Sequence, residues 1–307
     1  NHYLIFTLSS ELLANKVVIK IFQNYCNNFE IILKYMRLVV CLLQKRNHQF
    51  TCKNFILTLF VISINYLKKG INMKKVIDKA ASRGYFNHGW LKTHHTFSFA
   101  NYYNPERIHF GALRVLNDDS VDPSMGFDTH PHKNMEVISI PLKGYLRHGD
   151  SVQNTKTITP GDIQVMSTGS GIFHSEYNGS DKEQLEFLQI WVFPRVENTK
   201  PEYNNFDIRP LLKKNKLAVI ISPNGETPAS IKQDAWFSMG SFDAGQTIDY
   251  KMHQEGNGVY MFVIEGEIEV DGDHLSKRDG IGIWDTKEFQ IKITKETTLL
   301  LMEVPMR

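Results

Sequence analysis

The pattern of hydrophobic and polar residues from residue 73 onward is typical of short β-strands. Segments rich in β-branched and aromatic side chains alternate with clusters of Gly, Pro, Asn and Asp, and long helical periods are few. The pattern predicts an all-β fold over this part of the chain. The clearest strand segments are residues 137–142, 163–166, 187–193, 259–264 and 290–293.

An internal repeat suggests that one β-unit occurs twice. Residues 142–146 (LKGYL) and 264–268 (IEGEI) both place a glycine between two strand-like segments. Residues 160–163 (PGDI) and 278–281 (RDGI) follow them at nearly the same separation. Gly-centred hairpins recur by chance in β proteins, but two matches in the same order favour duplication. The polar stretch 195–210 is the expected connection between the two units.

Composition divides the chain near residue 72. Residues 1–72 contain one glycine, no proline, no aspartate and all three cysteines. We interpret them as a translated upstream leader that is not part of the fold, with Met73 as the true start. A membrane anchor through the apolar run 55–67 is the alternative, but this run is shorter than the ~20 residues that span a bilayer. The expected domains are then residues 73–205 and 206–307.

Charge differs between the two parts of the chain. Residues 1–72 carry nine Lys/Arg and two Glu, a net charge of +7, whereas the remainder carries 26 Lys/Arg and 31 Asp/Glu, a net charge of −5. A net acidic body has no general attraction for phosphate backbones, so we expect no nucleic-acid partner. The body has no cysteine, which suits a reducing cytoplasm. We also expect no membrane association.

Two pairs of polar residues have the spacing of metal ligands. His130 and His132 stand two residues apart, and residues i and i+2 of a strand project to the same face. His174 and Glu176 repeat this spacing about forty residues later. Three imidazoles and a carboxylate suit Fe(II), Mn, Ni, Cu or Zn, and the lack of thiolates argues against a closed structural zinc site.

Other histidines carry weaker signals. A lone histidine is most often a surface or hydrogen-bonded residue. His94 and His95 are adjacent, so they would point to opposite faces of a strand, and we expect both to be ordinary. His148 has two open interpretations, since it could support a metal ligand or occupy a turn.

These motifs resemble the pirin family of cupins. The resemblance covers essentially residues 73–307. It implies a bicupin, two stacked β-barrels with one non-haem Fe(II) in the N-terminal barrel, and an activity of some members, the ring-opening oxygenation of quercetin. The segments that carry it are 83–86 (RGYF), 96–99 (TFSF), 130–136 (HPHKNME), 148–151 (HGDS) and 171–178 (GIFHSEYN).

The identity of the carboxylate ligand has two candidates. Glu136 occupies the position that supplies the carboxylate in many other cupins, and strict alternation would place it on the face of His130 and His132. The pirin pattern instead assigns the ligand to Glu176. We follow that pattern, so the expected metal ligands are His130, His132, His174 and Glu176, with Glu176 also the candidate catalytic base.

The C-terminal half departs from the metal-binding pattern. Its nearest equivalent to the first motif is residues 253–255 (HQE), and residues 280–284 (GIGIW) contain no histidine where the second motif requires one. We therefore expect no metal in the C-terminal cupin domain.

The function implied by the resemblance is Fe(II)-dependent dioxygenation in the cytoplasm. The expected partners are O₂ and a small aromatic substrate, either quercetin or another flavonol or enolised aromatic, and other divalent transition metals are possible. The alternative is a metal-dependent, redox-sensing regulatory protein that binds a transcription factor or an enzyme. An enzyme acting on a different metabolite is a third possibility.

Overall fold

The computed structural model describes residues 73–151, 154–223 and 225–306, which belong to one compact unit. The described residues form β-strands and one short 3₁₀ helix, Ala80–Ser82, and they contain no α-helix. The all-β prediction is confirmed. Within the same residues, no helix is long and apolar enough to cross a membrane. The leader interpretation of residues 1–72 lies outside the described residues.

The strands are separated by turns, as the sequence predicts. In chain order they are β1 (Lys74–Asp78), β2 (Gly84–Asn87), β3 (Leu91–His95), β4 (Leu113–Val121), β5 (Gly126–His132), β6 (Glu136–Lys143), β7 (Leu146–Asp150), β8 (Thr155–Ile158), β9 (Asp162–Ser167), β10 (Ile172–Asn178), β11 (Leu185–Val192), β12 (Glu202–Asp207), β13 (Ala218–Ser222), β14 (Ala229–Ser230), β15 (Trp236–Phe242), β16 (Thr247–Lys251), β17 (Asn257–Val270), β18 (Asp273–Ser276), β19 (Gly280–Trp284) and β20 (Glu288–Pro305).

The N-terminal barrel consists of two sheets. Four strands pair in the order β5-β10-β7-β8, and seven pair in the order β12-β9-β6-β11-β4-β3-β2. The two sheets face each other, since Glu176 on β10 is hydrogen-bonded to Ser139 on β6, Gln164 on β9 and Gln189 on β11. The interior of this barrel is therefore lined by polar side chains at its centre.

The C-terminal barrel is a single nine-stranded sheet. Its main order is β1-β19-β17-β20-β15-β13-β14, with β16 paired to β20 and β18 paired to β17. The two longest strands, β17 and β20, shift register at three points between Val263 and Ile268. Such bulges bend a strand, and they let this sheet curl around its own apolar core.

Alternation along the long strands builds two apolar layers. On β17, Val259, Met261 and Val263 belong to the core of the C-terminal barrel. Their neighbours Tyr260 and Phe262 belong to a second core shared with side chains of β4, β6 and β11 in the N-terminal barrel. Because β17 is buried on both faces, it reads as a continuous apolar run rather than an alternating one.

Strand pairing in the two barrels crosses the expected domain limits. β1 pairs with β19 of the C-terminal sheet, and its Asp78 accepts a hydrogen bond of 2.8 Å from the Tyr260 hydroxyl. β12 pairs with β9 of the N-terminal sheet, so the stretch 195–210 contains a strand rather than a plain linker. The division at residue 205 falls within β12, and the two-domain assignment stays a prediction.

The internal repeat holds only in part. Gly144, at a φ of +77°, makes the turn between β6 and β7, as the sequence predicts. Gly266, at a φ of +92°, lies inside β17 among its register shifts, and the chain reverses only after Val270. The expected second hairpin is therefore replaced by a bulged strand.

Candidate metal centre

Three histidine side chains converge between β5 and β10. His130 lies directly opposite His174 in this antiparallel pair, and His132 follows two residues later on the same face. The ring centroids are 4.5 Å apart for His130 and His174, 4.8 Å for His132 and His174, and 4.9 Å for His130 and His132. One ring nitrogen from each lies within 4.8 Å of the others, a spacing that fits one metal ion.

The protonation of these rings favours metal binding. His130 Nδ1 lies 2.7 Å from the carbonyl oxygen of Asp128, which can only accept, so Nδ1 carries the proton and Nε2 keeps its lone pair. Burial, reinforced by the neighbouring imidazoles, lowers the pKa of both His132 and His174 to about 3. At neutral pH both rings are therefore uncharged, the form that coordinates metals.

A buried atom without a partner points to a bound group. His174 Nε2 finds no hydrogen-bond partner among the described residues, although the side chain is almost fully buried. A buried polar nitrogen left unpaired costs free energy, and a metal ion would satisfy it. Together with the imidazole-rich donor set, this nitrogen fits a divalent transition metal.

Glu176 lies beside this triad but forms a different group. A register shift separates Glu176 from His174 in the pairing with β5, and the side chain is buried. Glu176 groups with His148 and His174, again within 4.8 Å. The four predicted ligands thus fall into two overlapping groups that share His174, and the ligand set stays a prediction.

Three hydrogen bonds hold the Glu176 carboxylate. Ser139 Oγ and Gln164 Nε2 each donate to Oε1 at 2.9 Å, and Gln189 Nε2 donates to Oε2 at 2.6 Å. Sequence reasoning missed these three donors. A signal was present, because each is a polar residue with an apolar residue on either side of it in the strand, and such a residue is buried only when it has a partner.

Glu136 lies away from the histidines. Its carboxylate accepts hydrogen bonds from Ser167 Oγ at 2.6 Å and from the backbone N–H of Lys232 at 3.1 Å, and burial raises its pKa. Glu136 therefore does not project to the same face as His132, although strict alternation along one strand predicts that it would. The chain turns at Asn134, which has a φ of +53°, so β5 and β6 join different sheets.

His148 lies on β7 inside the barrel, so the interpretation as a turn residue is wrong. The side chain is buried, its Nε2 lies 3.0 Å from Asp150 Oδ2, and its Nδ1 lies 3.5 Å from His174 Nδ1. Its ring stacks on Tyr203 with centroids 4.1 Å apart and planes inclined by 16°. His148 therefore contacts one of the predicted ligands directly.

The remaining histidines lie elsewhere. His95 is buried on β3 with its ring against Phe99, and it belongs to neither group. In the C-terminal barrel, His253 Nδ1 lies 2.8 Å from Glu303 Oε2. Both groups with metal-ligand spacing found among the described residues lie on β5, β7 and β10. The expectation of a metal-free C-terminal barrel stays a prediction.

Comparison with known proteins decides the family. The chain is 36% identical to a quercetin 2,3-dioxygenase of Escherichia coli K12 over 228 residues, which is 74% of this chain and 97% of that protein. The pirin domain matches residues 76–192, and the quercetinase C-terminal cupin domain matches residues 219–304. The chain belongs to the pirin family. The predicted family and bicupin fold are confirmed.

A solved structure and a further relative agree with this assignment. The bacterial pirin YhhW of Escherichia coli, in complex with nickel(II), shares 34% identity and a TM-score of 0.72, covering 76% of this chain and all of that one. A pirin-like protein of Caulobacter vibrioides is 36% identical over 232 residues, 75% of this chain and 98% of that protein. A divalent metal in the N-terminal barrel of this pirin is consistent with the nickel complex of YhhW and with the histidine cluster.

Proposed function

We propose that this pirin is an Fe(II)-dependent dioxygenase that opens the ring of quercetin or a related flavonol with O₂. The observation that carries the proposal is the cluster of His130, His132 and His174, whose rings converge and include one buried nitrogen without a partner in the described part of the chain. The cluster occurs in a chain that is 36% identical to a quercetin 2,3-dioxygenase over 97% of that enzyme's length.

The ligands would come from both groups of side chains. His130 and His174 would bind through Nε2, and His132 and Glu176 would complete the set. Bound there, the metal would supply Lewis acidity toward the substrate hydroxyl and a redox centre for O₂.

Glu176 is the residue suited to take a proton from the substrate. Its carboxylate is fixed by Ser139, Gln164 and Gln189, so it cannot rotate away from the centre. A positioned carboxylate within hydrogen-bond reach of a hydroxyl acts as a general base. We propose that Glu176 accepts the proton of the flavonol hydroxyl as the substrate binds.

The surroundings of the histidines suit an aromatic substrate. Trp191 packs edge-on against His132 with ring centroids 4.8 Å apart, and Met135 and Tyr203 pack with it on an apolar cluster that includes Ile172. Such surfaces bind flat rings through apolar contact and exclude water. A flavonol presents a flat ring system of this kind together with hydroxyl groups that can reach the centre.

Turnover under defined metal loading tests the proposal. Metal-free protein is loaded anaerobically with Fe(II) or Ni(II), and the loss of flavonol absorbance is followed together with O₂ uptake. We expect one O₂ consumed per quercetin with Fe(II), no turnover without metal, and no turnover by His130→Gln. His94→Gln is the matched control, because His94 lies outside both metal groups. Iron-loaded protein that leaves a flavonol panel untouched, yet binds a protein partner according to oxidation state, would establish the regulatory alternative instead.

A further inference from the structure

A line of hydrogen-bonding groups leads from β7 to the centre. In the β7–β10 pair, Asp150 lies opposite His174, and His148 lies opposite Glu176. His148 Nε2 lies 3.0 Å from Asp150 Oδ2, and His148 Nδ1 lies 3.5 Å from His174 Nδ1. The line ends at His174 Nε2, the nitrogen without a partner among the described residues. Each hydrogen bond in this line limits which nitrogen of the next ring can carry a proton.

The direction of the first link follows from Asp150. Its side chain is fully buried, and its oxygens accept hydrogen bonds from the backbone N–H of Asn154 at 3.0 Å and from Asn154 Nδ2 at 2.8 Å. Two such donors stabilise the ionised carboxylate, which can only accept hydrogen bonds. His148 Nε2 must therefore donate to Asp150.

The second link follows from the first. A neutral imidazole carries one N–H, so a His148 ring that donates through Nε2 can only accept at Nδ1. The ring nitrogen that faces it, His174 Nδ1, is then the donor. This leaves the lone pair of His174 on Nε2, which is the nitrogen that lacks a partner among the described residues.

We propose that His148 and Asp150 are positioning residues that hold His174 in the tautomer protonated on Nδ1, which keeps Nε2 free for the metal. The inference rests on the role of His174 as a ligand in the proposed function. Tyr203 stacks on the His148 ring, which fixes the plane in which its Nδ1 points. Hydrogen-bond partners of this kind orient metal ligands and set their tautomers.

The contrast with His130 shows why the pair matters. His130 reaches the same tautomer through a backbone carbonyl, that of Asp128, which no side-chain substitution removes. His174 depends on a side chain instead. Its tautomer can therefore be altered by mutation while the three predicted histidine ligands stay in place.

Two substitutions at His148 separate the hydrogen bond from packing. His148→Leu removes the acceptor, whereas His148→Gln supplies an amide oxygen that can accept from His174 Nδ1. The ¹⁵N shifts of the imidazole rings in metal-free protein report which nitrogen carries the proton. We expect His174 to be protonated on Nδ1 in the wild type and in His148→Gln, and to populate both tautomers in His148→Leu.

Metal affinity gives the second readout, with Cd(II) as the probe. We expect His148→Leu to weaken Cd(II) binding by about 10- to 100-fold and His148→Gln by clearly less. His94→Leu, a half-buried histidine on β3 outside the cluster, is the control and should change neither readout. Equal melting temperatures exclude a general loss of fold, and the wild-type tautomer tests the proposal even where His148→Leu does not fold.

Three results would overturn the proposal. The first is a wild-type His174 protonated on Nε2, and the second is a His148→Leu variant with unchanged tautomer and affinity. The third is scalar coupling between ¹¹³Cd and a His148 ring nitrogen, which would make His148 a ligand rather than a positioning residue. None of these measurements reads quercetin turnover, so they stand apart from a failure of the dioxygenase proposal.

Discussion

His130 and His174 face each other directly across the β5–β10 pair, with ring centroids 4.5 Å apart. Directly opposed side chains of antiparallel strands are the closest neighbours that a sheet provides. A slip of one residue would turn the imidazoles of one strand to the outside of the barrel. The centre therefore depends on the register of this strand pair as much as on the histidines themselves.

Gly126→Ala should disturb this register. A Cβ at Gly126 would clash with the Glu176 carbonyl oxygen and lie 2.5 Å from Tyr177 Cα, so β5 must move away from β10. We expect Ni(II) affinity to fall by at least about 10-fold and stability to fall by about 1–3 kcal/mol. Gly149→Ala, on the other side of β10, meets only Ser175 Oγ at 3.5 Å and should be tolerated. Calorimetric titration and thermal melts compare the two, and equal behaviour would contradict the role of register.

Glu176→Gln should weaken iron binding and abolish turnover, because it keeps the shape but removes the negative charge and the basic oxygen. Glu136→Gln should retain iron, since Glu136 is bonded to Ser167 and Lys232 and lies in neither metal group. We expect Glu136→Gln to lower the free energy of unfolding by about 1 kcal/mol. Iron content after dialysis decides between them. Iron kept by Glu176→Gln and lost by Glu136→Gln would move the carboxylate ligand to Glu136.

The metal-free protein should lose stability as the pH falls below about 6.5. The pKa of both His132 and His174 is lowered to about 3 in the folded state, so only the unfolded state takes up these protons between the two values. Stability is then lost progressively as the pH drops toward 3. Urea unfolding at pH 7, 5.5 and 4.5 measures this. The slope should be smaller in His132→Gln, and an unchanged slope would show that the His132 ring takes up its proton as readily in the folded state as in the unfolded state.

Asp119→Asn should give the opposite dependence. Burial is the main cause that raises the pKa of Asp119 from its ordinary 3.8 to about 7, so the folded state holds a proton that the unfolded state releases above pH 4. The stability that this proton contributes is therefore lost as the pH rises from about 4 to 7, opposite in sign to the histidine contribution. We expect the free energy of unfolding of Asp119→Asn to exceed that of the wild type by up to a few kcal/mol at pH 8.5 and by less at pH 5. A constant difference at both pH values would contradict this.

The sequence predicted the parts of the centre that depend on local geometry. His130 and His132 share a face because they alternate on one strand, β5, which lies between turn residues at Ser124 and Asn134. The same rule failed at Glu136, because it holds only while the strand continues. Asn134, which has a left-handed backbone conformation, ends that strand. An asparagine in the polar tripeptide 132–134 is the sequence feature that could have indicated this turn.

Long-range pairing explains what the sequence did not predict. His148 reaches His174 only because β7 lies beside β10 in one particular register, and nothing near residue 148 specifies that partner. Gln164 and Gln189 meet at Glu176 from two strands of the opposite sheet. Their common target becomes visible only when the barrel closes.

The placement of β1 has a consequence for how the protein folds. Lys75 bonds to Asp271, 196 residues further along the chain, and β1 completes a sheet whose other strands come after residue 217. During synthesis this strand has no partner until nearly the whole polypeptide has emerged. Closing so long a loop is entropically costly and slows folding. Since the same strand then ties the beginning of the first barrel into the second, we expect the two barrels to unfold in one cooperative transition rather than one after the other.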